Sequence, residues 1–417
     1  MADLGILAAL VLAYALLSKR LERLAVSPPM AFALMGILLG SAVLDVVSFD
    51  LDSEAILLVA EITLVLVLFT DASRIDLRTL RRNATIPSRL LLIGLPLTII
   101  AGTAAGAALL PGLEFWEAAV IAVVLAPTDA ALGQAVVENR VVPRRIRQAL
   151  NVESGLNDGL SVPFLTVVLA LAGTEEGRES TDFYIRFAVE QIGFGVLVGV
   201  AVGAFGGALV GAAKRRDVID GIFEQLAVLS LPIIAWAGAD AVEGNGFIAA
   251  FVAGLAASGT LAGARPKVVE FAVDEGQLLN IATFFIFGAS IVGPILGDID
   301  WRVAVYAVAS LTVVRMLPVA ISLVGARLRP ETTLFLGWFG PRGIATIVLT
   351  LVVVEEADLA GSDRISLLAS ATVLLSVVAH GLTATPLARR YGRRAERMAE
   401  ESPEMRETPD IPTRFGS

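Results

Sequence analysis

The chain has 417 residues, 56% of them hydrophobic and only 18% charged, with a formal net charge of −9. Soluble domains are nearer half apolar and a quarter charged, so this composition indicates a polytopic, all-α membrane protein. The absence of Cys and the single His, His380, exclude disulfides, thiolate chemistry, a multi-histidine metal site and a histidine relay, and the acidic balance argues against a nucleic-acid partner.

Apolar stretches predict thirteen spans, at 3–18, 27–44, 54–71, 86–109, 114–138, 146–172, 183–212, 220–241, 245–262, 272–296, 301–325, 331–354 and 364–388. The first is not a cleavable signal, because its basic flank follows the apolar run. SKRLER, RIDLRTLRR, NRVVPRRIR, KRRD, ARPK, ARLRPE and ARRYGRR follow the odd-numbered spans. The connections after the even-numbered spans are acidic or nearly free of Lys and Arg. Basic loops stay cytoplasmic, so the expected topology in the plasma membrane has the N-terminus outside and the C-terminus inside. Spans 1–6 then begin outside and spans 8–13 inside, which is the plan of two inverted six-helix repeats joined by span 7, as in secondary transporters. Glycines at 195, 199, 203, 207 and 211 put a close-packing face on span 7, either within one protomer or toward a second copy. The tail, 389–417, is short, charged and rich in Glu and Pro, and is expected to lack fixed structure.

Ionisable groups inside spans are costly and mark candidate sites. In chain order, Asp71 closes span 3 in LVLFTDASRIDL, where it is either functional or an interfacial carboxylate in water. Within VLAPTDAAL, 124–132, Pro127 lacks an N–H and clashes with the Val123 carbonyl, so span 5 should break there. Thr128 and Asp129 are then good N-caps for a second half-helix. ESGLNDGLS, 153–161, puts Ser154 and Asp158 four residues apart on one face of span 6, with Glu153 and Asn157 one step around. Asp158 and Ser154 can face a cavity while Glu153 faces another helix. Arg315 in LTVVRMLPVA needs a counter-charge: Glu153 is the natural candidate, with Arg342 competing for it. Gly340, Pro341 and Gly343 in GWFGPRGIAT predict a second break, in span 12, the counterpart of span 5. Opposed half-helices bring like dipole ends together; Asp129 can offset positive ends, and Arg342 or Arg315 negative ones. Glu61 and Glu190 also lie within spans and are read as packing or helix-end residues.

Together, ESGLNDG with an upstream PTD, the DAS closing span 3, GNGFIAAFVAGLA (244–256), FFIFGAS (284–290), GPRG and HGLTATPL (380–387) resemble the monovalent cation:proton antiporter-1 family. That family holds the NhaP-type sodium/proton antiporters and the animal sodium/proton exchangers. The likeness runs from about residue 10 to 388. It implies a homodimer, with helices 1–3 (1–71) in the dimerisation domain and helix 7 with helices 8–10 over 183–296. The moving core would be helices 4–6 (86–172) and 11–13 (301–388), with broken helices 5 and 12 crossing. It also implies that Asp158 carries both cation and proton, and that Ser154, Asp71 and the Thr128 carbonyl serve the ion. A Glu153–Arg315 pair would hold the core. Many prokaryotic relatives have Glu at the position of Asp71, so a water can intervene there.

Sodium is a hard cation that prefers oxygen ligands, which carboxylate, hydroxyl and carbonyl supply without Cys, His or a cofactor. Burial disfavours an ionised carboxylate and a bound cation favours it, so the two exchange at one side chain. Asn157 stands where electrogenic relatives carry a first aspartate, which predicts electroneutral exchange. Na⁺, K⁺ and Li⁺ all take such ligands. A cation channel is the rival reading, and a hydrolase using Ser154 or Ser161 lacks a base.

Overall fold

The computed structural model describes residues 2–23, 26–47, 49, 54–75, 84–175, 180–260, 278–356, 359–399 and 402–406. All regular structure among them is helical. In chain order the helices are α1 (Ala2–Arg23), α2 (Pro28–Leu39), α3 (Glu54–Arg74), α4 (Thr85–Leu109), α5 (Phe115–Val124) and α6 (Ala130–Val137). There follow α7 (Arg144–Glu175), α8 (Thr181–Arg215), α9 (Gly221–Asp240), α10 (Gly246–Thr260) and α11 (Leu278–Asp298). The last four are α12 (Trp301–Ser322), α13 (Pro330–Trp338), α14 (Ile344–Glu356) and α15 (Ser362–Ala395). Eight of these helices are long and apolar enough to cross a membrane, by length and composition.

Local chemistry sets the boundaries. Ser27 caps α2 by accepting from the Met30 N–H, and Pro28 occupies its first turn, where no N–H is needed. The second apolar stretch was expected as one span over 27–44; its helix instead ends at Leu39, and 41–44 turn beside it. The eleventh is interrupted at Thr312, whose backbone leaves the helical region between Leu311 and Val313. Single π-turns interrupt α4 at Leu90–Gly94, α8 at Val202–Gly206 and α11 at Phe287–Val292. The start of the predicted tenth span, 272–277, lies outside the described residues.

Helices α3, α8 and α9 pack around α10, while α4, α5, α7, α12 and α15 pack with the short helices α6, α13 and α14. Three glycines of the α8 face pack within the chain. A side chain added at Gly195, Gly199 or Gly203 would strike the carbonyls of Asn245, Ala249 or Ala253, so these glycines serve packing on α10 within one chain. Helix α1 instead turns Leu4, Leu12 and Leu16 outward.

The tail departs from expectation. Helix α15 continues to Ala395, and Pro403–Met405 form a short 3₁₀ turn. Glu404 is fully buried and accepts from the Arg329 N–H (2.7 Å) and the Thr332 hydroxyl (3.1 Å), while Arg145 donates to the Pro403 carbonyl. The reason is a vacancy in local capping: Arg329, at the start of α13, offers no side-chain cap, and the tail carboxylate supplies an acceptor there. Residues 407–417 lie outside the described part.

Candidate functional site

Both predicted breaks are present. The first runs from the end of α5 at Val124 to Asp129, which caps α6. The second runs from the end of α13 at Trp338 to the start of α14 at Ile344. Pro127 and Pro341 deny the helix an N–H at each place. The two unwound segments cross and bond to each other: the Asp129 N–H donates to the Pro341 carbonyl at 2.7 Å.

Asp129 serves two helices at once. One carboxylate oxygen accepts from the Ala131 (2.6 Å) and Leu132 (3.1 Å) N–H groups of α6, and the other from the Ile344 N–H of α14 (2.8 Å). Two positive half-helix ends therefore share one negative charge. Gly343 makes this approach possible, since a Cβ there would lie 2.0 Å from Asp129 Oδ2. Arg342 does the converse. Its Nη1 donates to the Ala126 (2.7 Å) and Pro127 (2.9 Å) carbonyls, just past the negative end of α5, and its N–H donates to Ser376 Oγ. His380 Nε2 donates to the Trp338 carbonyl (2.9 Å), ending α13.

Arg315 and Glu153 form the pair that sequence left open: Arg315 Nη2 lies 2.5 Å from Glu153 Oε1, both side chains 2% exposed. Gly340 lets the Arg315 guanidinium pass, because a Cβ there would sit 2.5 Å from its Nε. Arg342 is not the partner of Glu153; the Ala126 and Pro127 carbonyls, past the end of α5, take its guanidinium.

Helix α7 brings its polar run to the first break. Ser154 Oγ donates to the Thr128 carbonyl (2.5 Å) and Asn157 Nδ2 donates to Thr128 Oγ1 (2.6 Å). The Asn157 carbonyl oxygen Oδ1 is buried with no hydrogen-bond partner among the described residues. Asp158, one turn beyond Ser154 on the same face, is buried. A narrow cleft lined by Thr128, Asp129, Gln134, Asn151, Ser154 and Pro341 leads to this place. The Thr128 carbonyl, the Ser154 hydroxyl, the Asn157 amide oxygen and the Asp158 carboxylate are thus all oxygen donors within two turns of one helix and the break beside it. They suit a hard monovalent cation and offer nothing to a soft metal.

Asp71 is buried rather than interfacial, so its reading as a carboxylate in water does not hold. It backs onto α7 at Gly155, whose added Cβ would lie 3.7 Å from the Asp71 Cβ. Its Oδ1 lies 3.5 Å from Arg74 Nη1, and both side chains are buried. Arg74 is the residue that sequence reasoning missed. It opens what reads as a basic loop, and only the i,i+3 spacing from Asp71 signals the pair.

The family model described as sodium/hydrogen exchanger, transmembrane, matches residues 6–390. The chain is 27% identical over 376 residues to "K(+)/H(+) antiporter NhaP2" of Shewanella sp. (strain MR-4), covering 90% of this chain and 64% of that protein. It is 27% identical over 369 residues to "K(+)/H(+) antiporter NhaP" of Alkalimonas amylolytica, covering 86% of this chain and 62% of that one. The chain therefore spans just under two thirds of the length of these curated relatives. Over 268 residues it is 28% identical to "Probable Na(+)/H(+) antiporter C3A11.09" of Schizosaccharomyces pombe, covering 60% of this chain and 35% of that one. Among solved structures, the sodium proton antiporter MjNhaP1 from Methanocaldococcus jannaschii superposes with a TM-score of 0.77 at 21% identity, covering 94% of this chain and 99% of that one. At that identity the likeness establishes the fold.

Proposed function

Because the chain belongs to the sodium/hydrogen exchanger family, we propose that it is a secondary transporter exchanging a monovalent cation for a proton, both competing for Asp158. One observation carries this reading. The buried oxygens of Thr128, Ser154 and Asn157 gather at a break in the bundle within a turn of a buried carboxylate, and a cleft reaches Thr128 and Ser154. A cation beside Asp158 favours its ionised form and releases the proton; a proton there removes the charge that holds the cation. Occupancy by one or the other, with access alternating between the two faces, is sufficient for antiport.

Electroneutral 1:1 exchange follows from the same residues. Asn157 is an amide and carries no titrating proton, so exchange of one proton for one cation at the Asp158 carboxylate moves no net charge. The proposed cation is Na⁺, with Li⁺ also accepted. A K⁺/H⁺ exchanger of the same fold is the second reading, favoured by the names of the Shewanella and Alkalimonas relatives. The proposed setting is a thirteen-span homodimer of the plasma membrane with the N-terminus outside, its two inverted repeats forming a core that moves against the other helices, serving pH homeostasis.

The test uses purified protein in liposomes under an imposed proton gradient, with Na⁺, K⁺ and Li⁺ added in turn and internal pH read by a dye. The parent protein is expected to dissipate the gradient on cation addition, and Asp158→Asn to lose that response while remaining folded. Full exchange in Asp158→Asn, or flux indifferent to the proton gradient, would overturn the reading; the latter outcome would favour a channel.

A further inference from the structure

The stretch GNG, 244–246, lies at a junction of four helices. Asn245 caps α10: its Oδ1 accepts from the Ile248 N–H at 3.0 Å. Its own N–H donates to the Gln191 carbonyl of α8 at 3.0 Å. Its Nδ2 crosses to α7 and donates to Thr166 Oγ1 at 3.3 Å. Thr166 gives its own proton to the Val162 carbonyl, so its oxygen serves as the acceptor. The flanking glycines admit neighbours on both sides. A Cβ at Gly244 would lie 2.8 Å from the Phe194 Cβ of α8, and one at Gly246 would lie 2.1 Å from Trp236 Cδ1 of α9. Asn245 is thereby fixed against α8, α9 and α10, and its amide reaches out to α7.

The two sides of α7 are bonded very differently. Toward the breaks and α12, Glu153 meets Arg315 at 2.5 Å, and Ser154 and Asn157 both bond Thr128. The side toward α3 and α10 carries Gly155, Gly159, Val162 and Thr166, at the spacing of one helix face. There a Cβ at Gly159 would lie 2.1 Å from Phe251 Cδ2 of α10, and one at Gly155 would lie 3.8 Å from Ile75 Cδ1. Apolar contacts of this kind are non-directional, so they resist separation more than sliding. The Asn245 amide adds a directional bond to this face. It is a long bond between neutral groups, worth about a fivefold change in an equilibrium constant, so thermal motion breaks it readily. Thr166 also lies eight residues past Asp158, roughly 12 Å at helical rise, whereas the cleft meets α7 at Leu150, Asn151 and Ser154. The bond therefore joins α7 to the α8–α10 group at the end remote from the cleft.

We infer that Asn245 is a positioning residue for exchange: its amide latches α7 to α10 in the conformer whose cleft is open, and the latch breaks when α7 shifts to present Asp158 to the opposite face. The inference rests on the antiport reading for the cycle it serves, while the latch itself is also tested without transport.

The chain contains no cysteine, so introduced ones report without background. Thr166→Cys and Asn245→Cys are combined, the purified protein is placed in liposomes, and the pair is bridged with a short bifunctional methanethiosulfonate. We expect cation-driven proton flux to fall about tenfold or more and to recover on reduction, with each single-cysteine variant unaffected by the reagent. Bridged protein that exchanges as fast as its reduced form would overturn the latch and leave a fixed junction. Thr166→Val removes the acceptor while the Asn245 cap on α10 stays intact, and Thr166→Ser restores the oxygen. Thr166→Val is expected to raise turnover and cation KM together, by up to about fivefold, because the latch releases more easily and the cleft-open conformer is less populated. Thr166→Ser should behave as the parent. A lower thermal midpoint without that paired rise would make the bond purely structural and overturn the inference. Gln134→Cys, in the cleft, supplies the readout that needs no transport: its labelling by a charged methanethiosulfonate in detergent should slow when Thr166→Val is added. If the parent protein shows no cation–proton exchange, the antiport reading fails and this labelling still decides the latch. Slower labelling then sustains it, and an unchanged rate refutes it.

Discussion

The two breaks bond to each other, yet they carry different chemistry. The first, Leu125–Asp129, supplies an acid that caps two half-helices and a threonine that Ser154 and Asn157 hold from both of its oxygens. The second, Phe339–Gly343, supplies a base whose guanidinium reaches the carbonyls of the first, and two glycines that let Asp129 and Arg315 approach. Each break thus neutralises the exposed dipole end of the other. Ser154 and Asn157 in the polar run of α7 bond to the first break, at Thr128. The chain breaks a helix twice, and the candidate site is built once, on the break that meets α7.

That asymmetry can be tested with matched lesions. The largest effect is expected from Glu153→Ala, which leaves Arg315 buried without its partner between the two breaks. Removal of one member of a buried pair costs about 3–5 kcal/mol, so the thermal midpoint in detergent should fall steeply. Replacing both residues by Met should recover much of the loss, and an unchanged midpoint in the single variant would show that the pair does not join the halves. Asp129→Ala comes next. It removes one acceptor from α6 and one from α14, at about 1–2 kcal/mol per cap, so it should destabilise more than loss of any ordinary single cap. A loss no larger than one cap would mean that the bond to Ile344 contributes nothing.

The smallest pair of effects is the most discriminating. Ser154→Ala and Ser376→Ala each remove one hydroxyl that partners a break, Thr128 in the first case and Arg342 in the second. A hydrogen bond of this kind is worth about 1 kcal/mol, or roughly a fivefold change in an equilibrium constant. Ser154→Ala should raise the cation KM by about that factor with little change in thermal midpoint. Ser376→Ala should lower the midpoint slightly and leave KM where it was. Equal KM shifts in the two variants would abolish the distinction between a break that binds and a break that only supports.

Several of these features can be read directly from residues. Pro127 ahead of Thr128 and Asp129, and Gly340, Pro341 and Gly343 together, mark both breaks because the constraint is local: a missing N–H and a ring clash act within one turn. The Ser154–Asp158 spacing likewise places two oxygens on one face without knowledge of any neighbour. Other features escape the same reading. Arg74 reads as part of a basic loop and is buried against Asp71. Glu404 reads as part of a loose acidic tail, yet it is enclosed against α13 because that helix lacks a cap of its own. The kink at Thr312 has no signal beyond Pro318 six residues later.

The membrane-type composition and the two proline breaks were determined by the chain alone, since bilayer length, backbone sterics and helical spacing operate over a few residues at a time. Which buried charge meets which was decided only in three dimensions. Glu153 and Arg315 are 162 positions apart, and Asp129 and Ile344 are 215 apart. Arg342 lost the competition for Glu153 because the carbonyls past the end of α5 lay within its reach. A buried ion takes the partner that geometry brings within about 3 Å, and that distance is a property of helix packing.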